Sequence, residues 1–422
     1  MAMYNLETVP RINEILFNVE QRENVTKCLN LKLKKWNFGG VNYNILKYDK
    51  QWLSRENEST IGLLRSIIFK DSGEIVSFAP PKSQNVEHIK FENDNKYVSE
   101  QFVEGTMINM FYDKEINSWQ IATRTSVGGN INFYMENGFK SDNTFATMFD
   151  EIVNELSPNM KDQLNKDFVY SFVMQHPNNR IVEPIRKKRL FLVEIYQING
   201  LLIQSKTHTI ISNPIDNIIT PTSMDVSNED DLLRCTGQLA SMNTSYLTMG
   251  VIIKDQHGNR YKFRNPNYEY VRKLRGNNPK LQFQYLTLRQ MEKDNIYQPL
   301  TKLAQYLKYY PEHKNIFNSY RNIMHDYTNQ LFINYISCYV KKERELNTFP
   351  NNFKTHMYIL HHQHYLETLR PNKETITKHY VINYFNNIHP AKQMFVLNYN
   401  KRNLMKRELI EENELKQENE VE

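Results

Sequence analysis

Glycine is scarce in this chain, with 13 residues in 422, less than half the usual share of about 7%. A backbone with so few glycines has few places where it can take positive-φ turns without strain, so each glycine-containing turn marks a position to examine. Cysteine is scarcer still. Cys28, Cys235 and Cys338 are too few and too far apart for a disulfide framework or a thiolate zinc site, and they read as reduced, ordinary residues. No apolar run approaches the roughly 18 to 20 residues needed to span a bilayer, and the opening MAMYNLETVPRINEILF lacks the basic start and small-residue cleavage site of a secretory signal. The reading is an intracellular chain with no membrane partner.

What is abundant points to a folded core. Hydrophobic residues make up 40% and aromatic residues 12% of 50.4 kDa, with 26 Tyr and 22 Phe, which favours a globular protein of two or three domains. The net charge is +6 and unevenly spread. Lys254, Arg260, Lys262, Arg264, Arg272, Lys273, Arg275 and Lys280 stand against Asp255 and Glu269 only, so this stretch alone supplies +6. Arg186-Lys187-Lys188-Arg189 is a second block. Such clusters suit a polyanion, either RNA or nucleotide phosphates, or else form a solvated basic face.

The chain is organised around Phe102-Val103-Glu104-Gly105-Thr106-Met107-Ile108-Asn109, where apolar runs flank an acid, a glycine and a hydroxyl. It reads either as a nucleotide-binding strand-turn-strand or as a plain hairpin. Residues 1–60 form a mixed lead-in packed on the core, with a Phe38-Gly39-Gly40 turn. Arg65–Phe69 and Ile75–Phe78 predict a hairpin around Asp71-Ser72-Gly73, ending at Pro80-Pro81-Lys82. Three antiparallel strands are expected around the central stretch, the last being Trp119–Arg124. Apolar residues at helical spacing from Phe145 to Leu156 predict a helix closed by Pro158. Strands return at Phe168–Val173, Leu190–Tyr196, Gly250–Lys254 and Arg260–Phe263. Past Gly276-Asn277-Asn278-Pro279 the strand signals stop, and residues 290–400 predict an all-helical domain that could contact a protein partner, with 401–422 a charged tail.

One order of short segments stands out: Arg65 in a strand, Pro80-Pro81-Lys82, Glu104-Gly105-Thr106, Thr123-Arg124-Thr125-Ser126, Pro177-Asn178-Asn179-Arg180-Ile181-Val182, Gly250-Val251-Ile252-Ile253, then Lys262-Phe263-Arg264. It resembles the phage-type RNA ligases of the covalent nucleotidyltransferase superfamily, over residues 60 to 275. The resemblance implies an α+β nucleotidyltransferase core of antiparallel sheets with helices, residues 61–280, followed by the all-α domain. With the Asn- and Lys-rich composition it also implies a viral source, hence host cytoplasm or virion.

That family's chemistry needs a lysine amine to attack the α-phosphorus of ATP, two residues before the acid of a Lys-x-Asp-Gly motif. Phe102 occupies that place, and a phenyl ring cannot form the phosphoramide. Two further acids hold the ribose or magnesium in the family; the corresponding positions here are Ser171 and Met249. Lys96 and Lys82 are the lysines weighed as displaced nucleophiles, and neither lies in the motif. The resemblance leaves Arg65, Glu104, Gly105, Lys262 and Arg264 as nucleotide contacts, with Arg180, Arg272, Lys273 and Arg275 as RNA contacts. The expectation is a degenerate ligase that binds RNA or nucleotide without adenylyl transfer and without a certain cofactor. The alternatives are an active ligase using ATP and magnesium through a displaced lysine, and a virion or complex scaffold. His356, His361, His362 and His364 read as a packed helix surface rather than a zinc site.

Overall fold

A computed structural model of the chain describes residues 2–85, 89, 92, 95–132, 143–207, 215–290 and 301–419. It is a mixed α+β structure with antiparallel sheets and a helical C-terminal region. The chain divides into two compact units between Arg275 and Gly276.

The first unit holds three sheets. The six-stranded sheet runs in the order β1 (Met3–Asn5), β12 (Leu202–Ser205), β11 (Arg189–Asn199), β10 (Phe168–Gln175), β8 (Thr106–Asp113), β9 (Ser118–Ala122). The five-stranded sheet runs β13 (Ser223–Val226), β7 (Tyr97–Gln101), β14 (Gly250–Asp255), β15 (Arg260–Arg264), β6 (Gln84–Asn85). The four-stranded sheet is β2 (Leu31–Phe38), β3 (Val41–Tyr48), β4 (Ile67–Lys70), β5 (Ile75–Phe78). Pairing is antiparallel throughout these sheets except between β15 and β6.

Each sheet buries an alternating face, as a two-residue side-chain period requires. Tyr43 and Ile45 of the four-stranded sheet pack with Phe111 and Val169 of the six-stranded one. The opposite face of the six-stranded sheet carries Tyr170, Phe172 and Met174, which receive Phe145, Met148, Phe149, Ile152 and Val153 of the helix Phe145–Leu156. That helix forms because its apolar residues recur every three or four positions and because Thr144 Oγ1 accepts the Thr147 N–H at 3.1 Å. The five-stranded sheet packs Tyr97, Val251 and Ile253 under Leu232 and Cys235 of the helix Glu229–Leu239.

Two expectations are corrected. Residues 31–48 are no irregular lead-in. They form a hairpin in full register from Leu31↔Tyr48 to Phe38↔Val41, closed by Gly39 and Gly40 at φ 61° and 83°, and β3 continues the sheet onto β4. The three strands around the central stretch do not share a sheet either. β8 pairs with β9, but β7 pairs with β13 and β14, so residues 102–105 carry the chain from one sheet to another. Gly105 makes this crossing possible: at φ 149°, a Cβ on it would lie 2.5 Å from the Met174 carbonyl oxygen and 2.7 Å from Val173 Cγ1.

The second unit is helical: Leu281–Gln290, Lys302–Tyr309, Lys314–Tyr335, Asn351–Ile359, Lys378–Asn387, Pro390–Leu397 and Tyr399–Asn419. Two of these helices widen into π-helical segments, Ile336–Val340 and Leu360–Leu369. Aromatic stacking fills the core, with Tyr306 against Tyr310 at 4.7 Å and Tyr327 against Phe353 at 4.9 Å. Three histidines of this unit face tyrosines: His356 Nδ1 lies 2.7 Å from the Tyr384 hydroxyl, His364 Nδ1 2.9 Å from that of Tyr380, and the His361 ring stacks on Tyr339 at 3.9 Å. Among the described residues no group of three or more His, Cys, Asp or Glu side chains could hold a metal ion, and no helix is long and apolar enough to cross a membrane.

Gly105→Ala is expected to destabilise the protein by about 2 to 3 kcal/mol, since backbone must move to admit the methyl. Denaturant titration checks this, and an unchanged midpoint would mean the crossing is looser than the contacts require. Limited proteolysis is expected to release a stable fragment ending just past Arg275; cuts confined to 100–260 would count against that boundary.

Candidate nucleic-acid and nucleotide site

The crossing turn is tied down by a buried carboxylate. Glu104 is 5% exposed. Its Oε1 accepts the backbone N–H groups of Val182 at 2.9 Å and Glu183 at 3.0 Å, and Tyr268 adds a side-chain hydrogen bond. Asn179 Nδ2 donates to Thr106 Oγ1 at 2.7 Å, and Gln175 Nε2 donates to the Glu104 carbonyl at 2.8 Å. The segments 104–106 and 177–183, distant in sequence, thus form one polar knot. Burial raises the Glu104 carboxyl above its ordinary range, while the two N–H groups and Tyr268 pull the other way.

From the turn, a cleft opens between the five- and six-stranded sheets. Tyr261 and Phe263 of β15 pack under the helix Glu229–Leu239, so Arg260, Lys262 and Arg264 project from the other face, into the cleft. At one end lies a cavity of about 690 Å³, lined among others by Tyr4, Glu100, Glu194, Thr207, Lys254 and Arg260. Its charges are paired internally. Lys254 Nζ lies 2.6 Å from Glu100 and 2.7 Å from Glu194, and Arg260 Nη1 lies 2.8 Å from Glu194. Burial alone would raise the Glu194 carboxyl, but Lys254 and Arg260 prevail and hold it below its ordinary value. The register shift opposite Ser171/Phe172 leaves Val193 without a partner on β10 and turns Glu194 into this cavity.

At the other end the cations outnumber their partners. Arg264 is paired with Glu269, which also takes Arg272 at 3.2 Å, and Lys82 is paired with Glu58. Arg65, Lys50 and Lys262 have no carboxylate within ion-pair distance among the described residues. Lys262 Nζ donates to the Ser83 carbonyl at 3.0 Å. Burial first, then Arg260 and Arg124, push the Arg65 guanidinium down to about 10. Burial and then Lys82 and Arg264 lower Lys262, and partial burial followed by Arg124, Arg272, Arg264 and Arg65 lowers Lys50. Cations crowded this way make a site that a phosphate oxygen would relieve.

Phe102 sits at the junction. Its N–H donates to the Gly250 carbonyl at 3.1 Å, and the Arg264 guanidinium stands 5.5 Å from its ring centroid. Met249 is adjacent, with its carbonyl accepting the Asn265 N–H at 3.1 Å. Gly250, at φ 136°, faces Arg264 so closely that a Cβ would meet the Phe263 carbonyl at 2.0 Å. Ser171 is buried between Val169 and Val173, on the sheet face turned away from the helix Phe145–Leu156, and donates to Asn109 Oδ1 at 2.8 Å. The structure therefore brings together Phe102, Met249, Lys262 and Arg264, while Arg65 lies by Arg260 and Arg124. It places others elsewhere. Arg180 folds back to donate to the Val182 carbonyl at 3.1 Å, which makes it part of the polar knot. Arg275 is buried at 5% exposure, unsuited to an incoming phosphate, whereas Lys273 is exposed.

The three positions that the resemblance singles out carry neither the amine of a covalent adenylate nor the acids that would hold its metal. Phe102 and the rest of the turn carry no amine, Ser171 and Met249 carry no carboxylate, and Glu100 and Glu194 are held by cations. Lys96 is part of the far cavity's lining.

No family model and no curated protein matches the chain. Among solved structures it is similar to an archaeal ATP-dependent RNA ligase, form 1, with 13% identity and TM-score 0.38 over 74% of this chain and 73% of that one. Form 2 gives 12% identity and TM-score 0.37 over 68% and 69%. A Naegleria gruberi RNA ligase mutant with ATP and Mn gives 10% identity and TM-score 0.31 over 61% and 83%. Likenesses this remote carry no weight for the chemistry of this chain, which its own residues decide.

Glu104→Ala is expected to cost about 2 to 4 kcal/mol, because two buried N–H groups lose their acceptor, while Glu104→Gln keeps an acceptor and should cost less than about 1 kcal/mol. The raised carboxyl adds a pH signature. Its stabilising contribution is complete below the unfolded-state value and is lost as pH rises through the higher folded-state value, so Glu104→Gln should flatten that decline. Equal losses in both variants, with no change in pH dependence, would remove the carboxylate from this role.

Proposed function

We propose that this protein is a degenerate RNA-ligase-like protein that binds RNA, or a nucleotide, through the cleft of its first unit without adenylyl transfer. The observation that carries the reading is the group Arg65, Lys50 and Lys262, crowded by Arg260 and Arg124, by Arg124, Arg272 and Arg264, and by Lys82 and Arg264 respectively, with no ion-paired carboxylate among the described residues. Holding like charges this close costs folding free energy, and phosphates supplied by a ligand offset it. A chain of ribonucleotides fits better than a lone nucleotide because the cations extend from Arg65 to Arg272 rather than converging on one point. The Phe102 ring beside Arg264 offers a flat apolar face where the family pattern has a nucleophile, suited to a base but inert toward phosphorus.

Incubation with α-labelled ATP and magnesium is expected to give no labelled band after denaturation. An acid-labile band would favour the active enzyme with a displaced lysine, and Lys262→Ala would then show whether Lys262 is that lysine. RNA binding should weaken steeply with salt, and Arg65→Ala with Lys262→Ala should lower the salt slope by roughly one unit for each cation removed. No RNA binding by the natural protein, or an unchanged slope in the double variant, would leave these residues a solvated face and favour a scaffolding role.

A further inference from the structure

The cations of the cleft do not stop at its mouth. On β2, Lys32, Lys34 and Trp36 share one face by alternation, and Lys32 stands opposite Lys47 of β3 in the register. Lys34 Nζ donates to the Thr125 carbonyl at 3.2 Å and lies 4.1 Å from the Trp36 ring centroid. The neighbouring residue, Arg124, lies with its guanidinium 5.0 Å from the Tyr48 ring, and its Nε donates to the Arg65 carbonyl at 3.3 Å. Lys32, Lys34, Lys47, Arg124 and Arg65 therefore form one continuous basic path from the four-stranded sheet to the cleft. Among the described residues its ion-pair compensation is Asp49, paired with Lys32 at 2.7 Å. Partial burial and then Arg124, Lys32 and Lys34 lower Lys47, as expected for neighbours crowding a common surface.

The ordinary explanation for lysines on β2 is that it is an edge strand, and edge strands are commonly blunted with charge. That explanation covers Lys32 and Lys34. It does not cover Lys47, which lies on an interior strand, or Arg124, which comes from the segment after β9 in another sheet. Convergence of cations from three separate segments upon one surface, with the half-buried Trp36 among them, is the composition of a single-strand track: charges for phosphates and a ring for a base. Successive outward residues on a strand lie about 6.6 Å apart, so Lys32 and Lys34 can contact different phosphates.

We infer that the face formed by Lys32, Lys34, Trp36 and Lys47 with Arg124 is a second RNA-contact surface, along which a single strand held in the cleft continues outward. This rests on the proposed role of the cleft, and oligonucleotide length separates the two. Affinity of the full-length protein is measured for single-stranded RNA of about 4 and about 16 nucleotides, the range of site sizes in single-strand-binding folds. The natural protein should bind the longer RNA more tightly and with a steeper salt slope. The variant Lys32→Ala, Lys34→Ala, Lys47→Ala should lose that advantage, its slope for the longer RNA falling by about two to three units, while its affinity for the shorter RNA changes less than about threefold. Circular dichroism guards against misfolding, and Lys35→Ala serves as the control, since Lys35 points to the other face of β2 and pairs with Glu23 at 2.8 Å. If the natural protein binds neither RNA, the cleft reading fails and takes this one with it. If it binds both and the triple variant matches it, or if Lys35→Ala reproduces the triple variant's loss, the track alone is overturned. Loss of binding to anionic lipid vesicles with RNA affinity intact would likewise overturn it and assign the face to a membrane surface.

Discussion

The first unit depends on one buried carboxylate accepting two backbone N–H groups. Without Glu104, the N–H groups of residues 182 and 183 would lose their acceptor, and the turn by which the chain passes from the five-stranded to the six-stranded sheet would be held by Asn179 and Gln175. Gly105 provides clearance beside β10, Asn179 secures Thr106, and Glu104 supplies the hydrogen bonds. The position of Phe102 derives from this knot, and so does the cleft, because the strands that line it leave the turn in opposite sheets. Rigidity here is electrostatic and steric rather than apolar, which suits the floor of a site that must stay polar.

Much of this was legible in the sequence, and the part that was not has a physical reason. Alternating apolar residues marked most strands, and the helical spacing from Phe145 to Leu156 marked its helix together with the apolar face. The period of two says which residues share a face but not which sheet a strand joins, so β7 and β8 read as neighbours in a hairpin when they are partners of different strands. The β2–β3 hairpin was hidden for a related reason: Lys32, Lys34 and Lys35 interrupt the apolar pattern that would have announced it. Gly39-Gly40 is the signal for it, but a pair of glycines suits an open loop as well as a two-residue turn.

The site divides in a similar way. Charge is visible in sequence, whereas pairing is not. Of the eight basic residues from Lys254 to Lys280, Lys254 and Arg260 are neutralised by Glu100 and Glu194, which lie far away in the chain, and Arg264 and Arg272 share Glu269. Glu194 could have been suspected, since an acid inside Leu190–Tyr196 must either face solvent or find a cation. Lys47 and Lys50 carried no local signal at all, and Arg124 stood out only as part of Thr123-Arg124-Thr125-Ser126. Their meaning comes from convergence, which only the tertiary structure supplies.

The residues that remove the expected chemistry also alter the electrostatics in a definite direction. At the two places where the ligase resemblance calls for acids, this chain has Ser171 and Met249. A carboxylate repels a phosphate by about 2 kcal/mol at a separation of about 7 Å and an effective dielectric constant near 20. An enzyme accepts that repulsion because a metal ion bridges it. Without the metal, acids at these positions would weaken phosphate binding and give nothing in return, so Ser171, bonded to Asn109, and Met249, beside Phe102, leave the cleft more favourable to a polyanion than the catalytic pattern does.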